Sequence, residues 1–330
     1  MKAVVWREPL PAADPRALVD AEIAPPAAPG GHDLLVRIEA VSVNPIDTKM
    51  RLQPHAGERI LGWDAAGVVE AAGGEATLFR PGDEVYYAGS IARSGSYAQK
   101  QLVDERIVGR KPKSLDFAAA AALPLTTLTA YEAIVHRLRV PEGKTLLVIG
   151  GAGGVGSMAI QIGKRLGIQV IATASRPESS RWCRELGAAH VISHAEPLRQ
   201  GLLAHGMEYA DYILNCADTD QYWLEMAEAI APQGGICSIV ANARPVDVQA
   251  LRAKCAWFAW EGMFARSTWK TPDLVEQHRL LCRVADWIDA GEVRGTMQEQ
   301  LRPINAANLR KAHQKIEGRA TIGKIVLGGW

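Results

Sequence analysis

Gly151, Gly153 and Gly156 stand in the spacing G-x-G-x-x-G within the run "VIGGAGGVGSMAIQIGKRLG". Such a spacing can cradle a pyrophosphate. One glycine permits a tight turn, another lets the backbone approach the phosphates, and the third lets the following helix close on the preceding strand. The negative charge then rests on the free N–H groups at the helix start. Alone the spacing is a weak signal, and its surroundings strengthen it. The apolar run "KTLLVIG" before it reads as a buried parallel strand, and "VGSMAIQIGKRLG" after it has helical spacing. The expected cradle is therefore Gly151, Ala152, Gly153, Gly154, Val155 and Gly156, against the plainer reading of a glycine-rich turn that holds no ligand.

The end of the next strand candidate selects the cofactor. "ATASRPESSR" has no acid to bond a ribose 2′-hydroxyl; Ser175 and Arg176 instead offer a hydroxyl and a guanidinium suited to a 2′-phosphate, with Arg181 able to assist. The expectation is NADP(H) rather than NAD. Cys216, closing the strand candidate "YADYILNCA", and Val240, closing "GGICSIV", lie on the ligand side of such a sheet and are expected to give backbone contacts. Cys216 has no paired base in the sequence and is not read as a nucleophile. Thr126, Thr127 and Thr129 stand at a loop–helix junction, where contact with cofactor phosphate or carboxamide competes with simple helix capping. A second chemical feature is "LGWDAAGVVEAAG", an apolar glycine-punctuated stretch holding one carboxylate, Asp64, beside the bulky Trp63. Tyr86, Tyr87 and Tyr97 are phenolic donors among which the sequence does not choose.

The elements that must position these residues follow from the local patterns. The first third is β-rich, with strands expected in "DLLVRIEAVSVN" and "GVVEAAG" and after the turn signal of "RPGDEVYYAG". "DFAAAAAL" reads as a helix capped by Asp116 and stopping near Pro124, and "TAYEAIVHRL" as the next helix. From Lys144 onward, short apolar runs alternate with helical segments. That rhythm means βαβ units and a parallel sheet. Two helix candidates, "PDLVEQHRLLCRVADWIDAG" and "NAANLRKAHQKIEG", and a last strand, "GKIVLGG", form the tail.

Composition excludes whole classes. The chain has 330 residues, 48% hydrophobic and 22% charged, with a net charge of +1 and the two signs interspersed, so no electrostatic footprint for nucleic acid or a membrane surface is present. No apolar run approaches the ~20 residues that span a bilayer, and the N-terminus lacks a signal-peptide pattern. The five cysteines are scattered, without C-x-x-C spacing, as expected of reduced thiols in a cytoplasmic protein.

The stretches "VSVNPIDTKMR", "GWDAAGVV", "RPGDEVYY", "AAALPLTTLTAYEA", "GGAGGVG", "LGAAHVI", "APQGG" and "GKIVLGG" run along nearly the whole chain. Together they resemble the medium-chain dehydrogenase/reductase superfamily. "NPIDTKMR" and "AAALPLTTLTAYEA" are more similar to its quinone oxidoreductase branch, and "PDLVEQHRLL" to a bacterial subgroup labelled zinc-type alcohol dehydrogenase-like. The resemblance implies an α/β fold with a GroES-like β-rich catalytic domain (residues 1–122, completed by 266–330) and a Rossmann doubly wound parallel-sheet cofactor domain (123–265). It also implies a cleft between the two domains and a homodimer. Asn44 and Asp47 of "NPID" would line the cleft near the nicotinamide, with Trp63 at its floor. The aromatic cluster "WFAWEGMF" would form a dimer edge strand or roof the substrate.

Zinc can be tested on the letters. Where zinc members of the superfamily place Cys, the His of a Gly-His-Glu motif, and a second Cys, this chain has Asn44, Trp63 and Leu125. None is a usual zinc donor. Asp64 matches the Glu of that motif and stands alone, expected to bond a nearby backbone or basic group. His190 and His194 lie far in sequence from these positions, and no Cys occurs between Tyr86 and Lys113. No metal is expected. Without one, oxidation of an unactivated alcohol is hard, whereas a conjugated enone or quinone delocalises the charge that hydride addition creates. The leading expectation is a zinc-independent NADPH-dependent oxidoreductase acting on a quinone, enone or aldehyde. The alternatives are an alcohol or aldehyde dehydrogenase of the zinc type, and an NADPH-binding sensor or structural protein.

Overall fold

The computed structural model describes residues 1–330. They divide into two compact units, one formed by residues 1–128 with 264–330 and the other by 129–263.

The first unit is built on a seven-stranded sheet. Its order is Met297–Leu301, Lys324–Gly328, Asp33–Ser42, Ala65–Ala72, Glu84–Tyr87, Val108–Arg110, with Lys100–Asp104 also paired to Asp33–Ser42. Only the Met297–Leu301 and Lys324–Gly328 pair is parallel. In Asp33–Ser42, Leu34, Val36, Ile38 and Ala40 alternate into the core, the period-2 pattern of a half-buried strand. Gly67 is required where its neighbour crosses, because a Cβ there would meet Arg37 O at 2.1 Å. A separate three-stranded antiparallel sheet pairs Lys2–Trp6 with Val19–Glu22 and Arg59–Ile60. Helix Pro45–Arg51 starts on a proline whose missing N–H costs nothing at that position. Helix Ala306–Glu317 is capped by Asn305, whose Oδ1 accepts from Asn308 N at 2.8 Å.

The second unit is a six-stranded parallel sheet of Thr145–Ile149 (β1), Gln169–Thr173 (β2), His190–Ile192 (β3), Ala210–Asn215 (β4), Ile230–Ser238 (β5) and Trp257–Trp260 (β6), in the order β3-β2-β1-β4-β5-β6. The chain reverses its winding between β1 and β4, which makes the C-terminal edge there a topological switch point. Gly154–Arg165 (α1) and Pro177–Leu186 (α2) connect β1 to β2 and β2 to β3, and Thr219–Ala229 (α3) connects β4 to β5. Leu147, Ile149, Ile171, Ile213, Trp223, Met226 and Ile236 share one core cluster.

Several boundaries differ from the sequence expectation. The alanine run is a short helix, Phe117–Ala121, with Asp116 Oδ1 accepting from Ala119 N at 2.7 Å. The next helix begins earlier than expected, at Pro124, and after Tyr131 it widens into a π-wound turn over Glu132–Arg137. Pro124 opens this helix for the same reason that Pro45 opens its own. Lys2–Trp6, Met297–Leu301 and the helix Leu198–Leu203 carry no strong local signal and are additions. No helix is long and apolar enough to cross a membrane.

Candidate active site

In the second unit, β1 ends in a turn whose first residue, Gly150, has φ +82°. Gly153 caps α1, and the first intrahelical bond runs from Ser157 N to Gly153 O at 2.8 Å. The N–H groups of Gly154, Val155 and Gly156 therefore point out of the helix start without intrahelical acceptors. The three motif glycines have different jobs. A Cβ on Gly156 would sit 2.3 Å from Gly150 O, so this residue lets the helix press on the turn. A Cβ on Gly151 would sit 2.7 Å from Ala172 Cβ, so this one sets the approach to β2. A Cβ on Gly153 would meet only Gly150 O, at an ordinary 3.5 Å, which leaves the backbone there open. Free N–H groups beside an open backbone fit a pyrophosphate.

The same edge carries the other predicted cofactor residues of this unit. Ser175 and Arg176 are exposed just past β2, and Arg176 precedes α2, its backbone N donating to Ser179 Oγ at 3.2 Å. Arg181 is exposed within α2. Cys216 follows β4, its N donating to Ile149 O at 3.0 Å, and Val240 follows β5, its carbonyl accepting from Thr219 Oγ1. Burial pushes the Cys216 thiol well up, which does not suit a nucleophile. Thr129 is buried in helix Pro124–Tyr131.

Sequence reasoning passed over a charged group in this unit. Glu261, just after β6, donates its N to Ser238 O at 3.0 Å and accepts from Arg137 Nε at 2.8 Å through Oε2. Glu132, on the π-wound turn, lies against it, and both carboxyls are buried. Burial first and the Glu132 charge second push Glu261 up to about 8. Two adjacent buried carboxyls keep one proton between them.

The substrate-side candidates lie in the first unit, and two buried networks hold them. Asp64 Oδ2 accepts from Asn44 Nδ2 at 2.8 Å and from Lys324 Nζ at 3.1 Å; Oδ1 accepts from Leu125 N at 2.8 Å. These partners all donate, so Asp64 is a carboxylate by hydrogen-bond inventory. Burial pushes this carboxyl up, and the Lys324 ammonium, with Asn44 and the Leu125 amide, pulls it back. Lys324 spends its remaining donors on Asn44 Oδ1 at 2.5 Å and Val43 O at 3.0 Å. The Asn44 carbonyl oxygen is thus engaged by an ammonium. Trp63 is buried, its indole N–H donating to Ser90 O at 3.1 Å and its ring meeting Phe264 edge-on at 6.3 Å.

Asp47 belongs to the second network. Its Oδ2 accepts from Asn44 N at 2.7 Å and from Tyr97 OH at 2.9 Å, and Tyr97 OH is 3.2 Å from His313 Nε2. Since Tyr97 gives its one proton to Asp47, His313 donates from Nε2 and Nδ1 is left bare, in keeping with its lack of a partner. Burial, with the Arg51 charge second, lowers His313 to about 3, and burial raises Asp47 to about 7. Tyr86 and Tyr87 donate to Leu281 O and Gln101 Oε1 inside the fold. Thr126 Oγ1 turns back to Leu123 O at 3.0 Å, and the buried Thr127 hydroxyl has no partner.

A zinc ion does not fit these residues. Asn44 and Trp63 are committed elsewhere, Leu125 contributes only its backbone, and Asp64 already faces a cation. No three His, Cys, Asp or Glu side chains come together as metal ligands.

A parallel sheet with a glycine-rich turn and a helix start at its switch point, joined in one chain to a GroES-like unit, defines a nicotinamide-dependent oxidoreductase fold. The chain belongs to the medium-chain dehydrogenase/reductase superfamily. Residues 30–113 match the alcohol dehydrogenase GroES-like domain, and residues 154–267 match the zinc-binding dehydrogenase domain. A zinc-type alcohol dehydrogenase-like protein of Staphylococcus aureus is 43% identical over 306 residues, 91% of each chain. The quinone oxidoreductase of Homo sapiens is 36% identical over 172 residues, 51% of this chain and 52% of its own. Among solved structures, a Rhizobium etli CFN 42 protein assigned as a zinc-dependent alcohol dehydrogenase aligns with TM-score 0.96 at 48% identity, over 100% of this chain and 98% of its own. A mycobacterial protein complexed with NADPH aligns with TM-score 0.86 at 26% identity, over 99% of both chains.

Proposed function

We propose that this chain is a zinc-independent, NADPH-dependent oxidoreductase that delivers hydride to quinones or α,β-unsaturated carbonyls. The observation that carries the reading is the Asp64–Asn44–Lys324 cluster. At the positions where zinc members hold their ion, this chain has a saturated carboxylate, an amide and the indole of Trp63. No Lewis acid is then at hand to acidify an alcohol, which favours acceptors that delocalise charge themselves.

A bound nicotinamide supplies the hydride when the cofactor is present. The chain's own residues bind and orient. The Gly154–Gly156 N–H groups hold pyrophosphate, and the exposed Ser175 and Arg176 address a 2′-phosphate. Cys216 and Val240 offer backbone at the same sheet edge. Asn44, Asp47 and Trp63, each fixed by buried partners, form a rigid lining rather than an acid–base set, and the proton for the enolate comes from water. The reading includes a homodimer: β6 is an edge strand with Trp257 and Trp260 exposed by 38% and 46%, and apolar edges call for a partner.

The test is a steady-state assay with NADPH against quinones and enones, with and without a chelator, beside NADP⁺ with simple alcohols. Turnover of conjugated acceptors that survives chelation is expected. Activity confined to alcohols, or lost with the chelator, overturns the reading. NADPH binding without turnover on any acceptor moves the chain to the sensor class.

A further inference from the structure

Three buried polar side chains meet at the end of the parallel sheet where the chain reverses its winding. Asn215 closes β4, Thr219 opens α3 and Ser238 closes β5, and each is at most 1% exposed. The register sets Asn215 between Ser238 and Ile149, the last residue of β1. Polar groups this deep must be paired, and here the pairing has a direction. Asn215 Oδ1 accepts from Ala217 N at 3.0 Å, which turns the amide nitrogen towards the two hydroxyls. Asn215 Nδ2 donates to Ser238 Oγ at 3.0 Å and to Thr219 Oγ1 at 3.2 Å. The two hydroxyl oxygens are 2.6 Å apart, and Thr219 Oγ1 also meets the Val240 carbonyl. A carbonyl only accepts, so Thr219 gives its one proton to Val240 O and Ser238 gives its own to Thr219. Ser238 Oγ lies 3.5 Å from the same carbonyl, at the limit of a hydrogen bond. Every side-chain donor is spent, and the chain of bonds ends on Val240 O.

That end lies on the ligand edge of the sheet. Cys216, Ala217, Ile239 and Val240 are half-buried beside the three sealed side chains. Ser175 and Arg176 stand just past β2, and the glycine turn stands at the end of β1. A dinucleotide with its 2′-phosphate and pyrophosphate at those two places extends its other half along the strand order, towards β4 and β5. The Val240 carbonyl keeps a second lone pair for a donor from that half. Thr219 sets where the carbonyl points. The loop after β5 is tied to β4 as well, because Ile239 N donates to Asn215 O at 3.1 Å.

We propose that Thr219, anchored by Asn215 and Ser238, is a positioning residue for the nicotinamide half of the cofactor, and that it acts by aiming the Val240 carbonyl. The proposal rests on the cofactor reading above and adds to it side chains that touch no cofactor atom themselves. It uses only residues of the cofactor-binding unit. Its signature is selective: loss of the Thr219 hydroxyl disturbs the β5 end of the edge and leaves the β1 and β2 ends, where phosphates bind, as they were.

The test is calorimetric titration of Thr219→Val with NADPH and with adenosine 2′,5′-bisphosphate, which lacks the nicotinamide half. Valine keeps the shape of threonine and removes the donor. NADPH should bind about tenfold more weakly than to the parent, and the bisphosphate within about twofold. Thr219→Ser keeps the hydroxyl and should return NADPH affinity to within about threefold of the parent. A measurement on the parent needs no variant: at saturation, NADPH should slow amide hydrogen exchange over residues 239–243, and the bisphosphate should not. NADPH affinity unchanged in Thr219→Val, equal weakening of both ligands, no recovery in Thr219→Ser, or equal protection of 239–243 by both ligands overturns the proposal and leaves the cofactor reading standing. A parent chain that binds neither ligand overturns both.

Discussion

Replacing Lys324 with Met tests the reading of the vacated metal position directly. Lys324 and Asp64 are 3% and 0% exposed, and their charged atoms are 3.1 Å apart. At an effective dielectric of about 20 the attraction is about 5 kcal/mol, set against a desolvation penalty of several kcal/mol per ion. The intact pair is therefore close to break-even. Removing one member is different, because it strands a buried carboxylate with only Asn44 and the Leu125 amide as donors. Lys324→Met should cost about 3–5 kcal/mol of stability. The deficit should depend on pH with a definite sign. Once the ammonium is gone, the native Asp64 carboxyl titrates higher still above its unfolded value of 3.8, so the folded state holds a proton that the unfolded state has lost. Stability of the variant then falls as pH rises from near 3.8 towards the new native value. Its deficit against the parent should be smaller at pH 5 than at pH 8. Urea unfolding followed by tryptophan fluorescence at both pH values measures this. The double variant Asp64→Asn with Lys324→Met should recover most of the loss, because no charge is then buried. A single-variant cost below about 1 kcal/mol, or a double variant no better than the single, would refute the ion-pair reading.

Other perturbations address the cofactor side. Arg176→Ala should weaken NADPH binding by about tenfold or more while leaving NADH nearly unchanged, as expected from losing a charge-assisted bond; equal weakening in a fluorescence titration removes the 2′-phosphate assignment. Gly156→Ala puts a methyl 2.3 Å from Gly150 O, so the helix start must move. It should lower Tm and cost about 1–3 kcal/mol, with NADPH affinity falling alongside; unchanged Tm and affinity would show that the close approach is not needed. Burial and the neighbouring Glu132 charge raise Glu261 above its unfolded value of 4.5, so the folded pair holds a proton that the unfolded chain has lost and the pair's contribution to stability falls as pH rises above that value. Glu261→Gln should flatten the decline of Tm between pH 5 and 8, and an unaltered slope would remove the shared-proton assignment.

What was legible in the sequence is what neighbouring residues state together. The strand Thr145–Ile149, the glycine-rich turn after it and the helix Gly154–Arg165 lie close together in the chain, and each is written in local pattern. The alternation that yields a parallel sheet is of the same kind. The substrate side is not, because its meaning rests on partners brought together from far along the chain. Asp64 reads as an acid in search of a basic group, but the group is Lys324, 260 residues away, hidden in a stretch that reads simply as a last strand. Asp47 reads as a loop acid, yet burial raises it, and the Tyr97 hydroxyl that donates to it comes from a distant loop and also meets His313 of a C-terminal helix. The Glu132–Glu261 pair depends on a π-wound turn that no local spacing announces.

The physical lesson lies in charge rather than in ligand identity. A zinc site seats positive charge beside buried carboxylates. Placing Asn44 and Trp63 at the ligand positions leaves the buried carboxylate of Asp64 still needing a cation, because an unpaired ion at that depth costs several kcal/mol. The ammonium of Lys324 meets that need, but unlike zinc it has no open position for a substrate oxygen, since Asp64, Asn44 and Val43 take its donors. Electrostatic balance is thus met by an ammonium whose donors are all engaged within the fold, and the proposed reading of acceptors that stabilise their own developing charge rests on that arrangement.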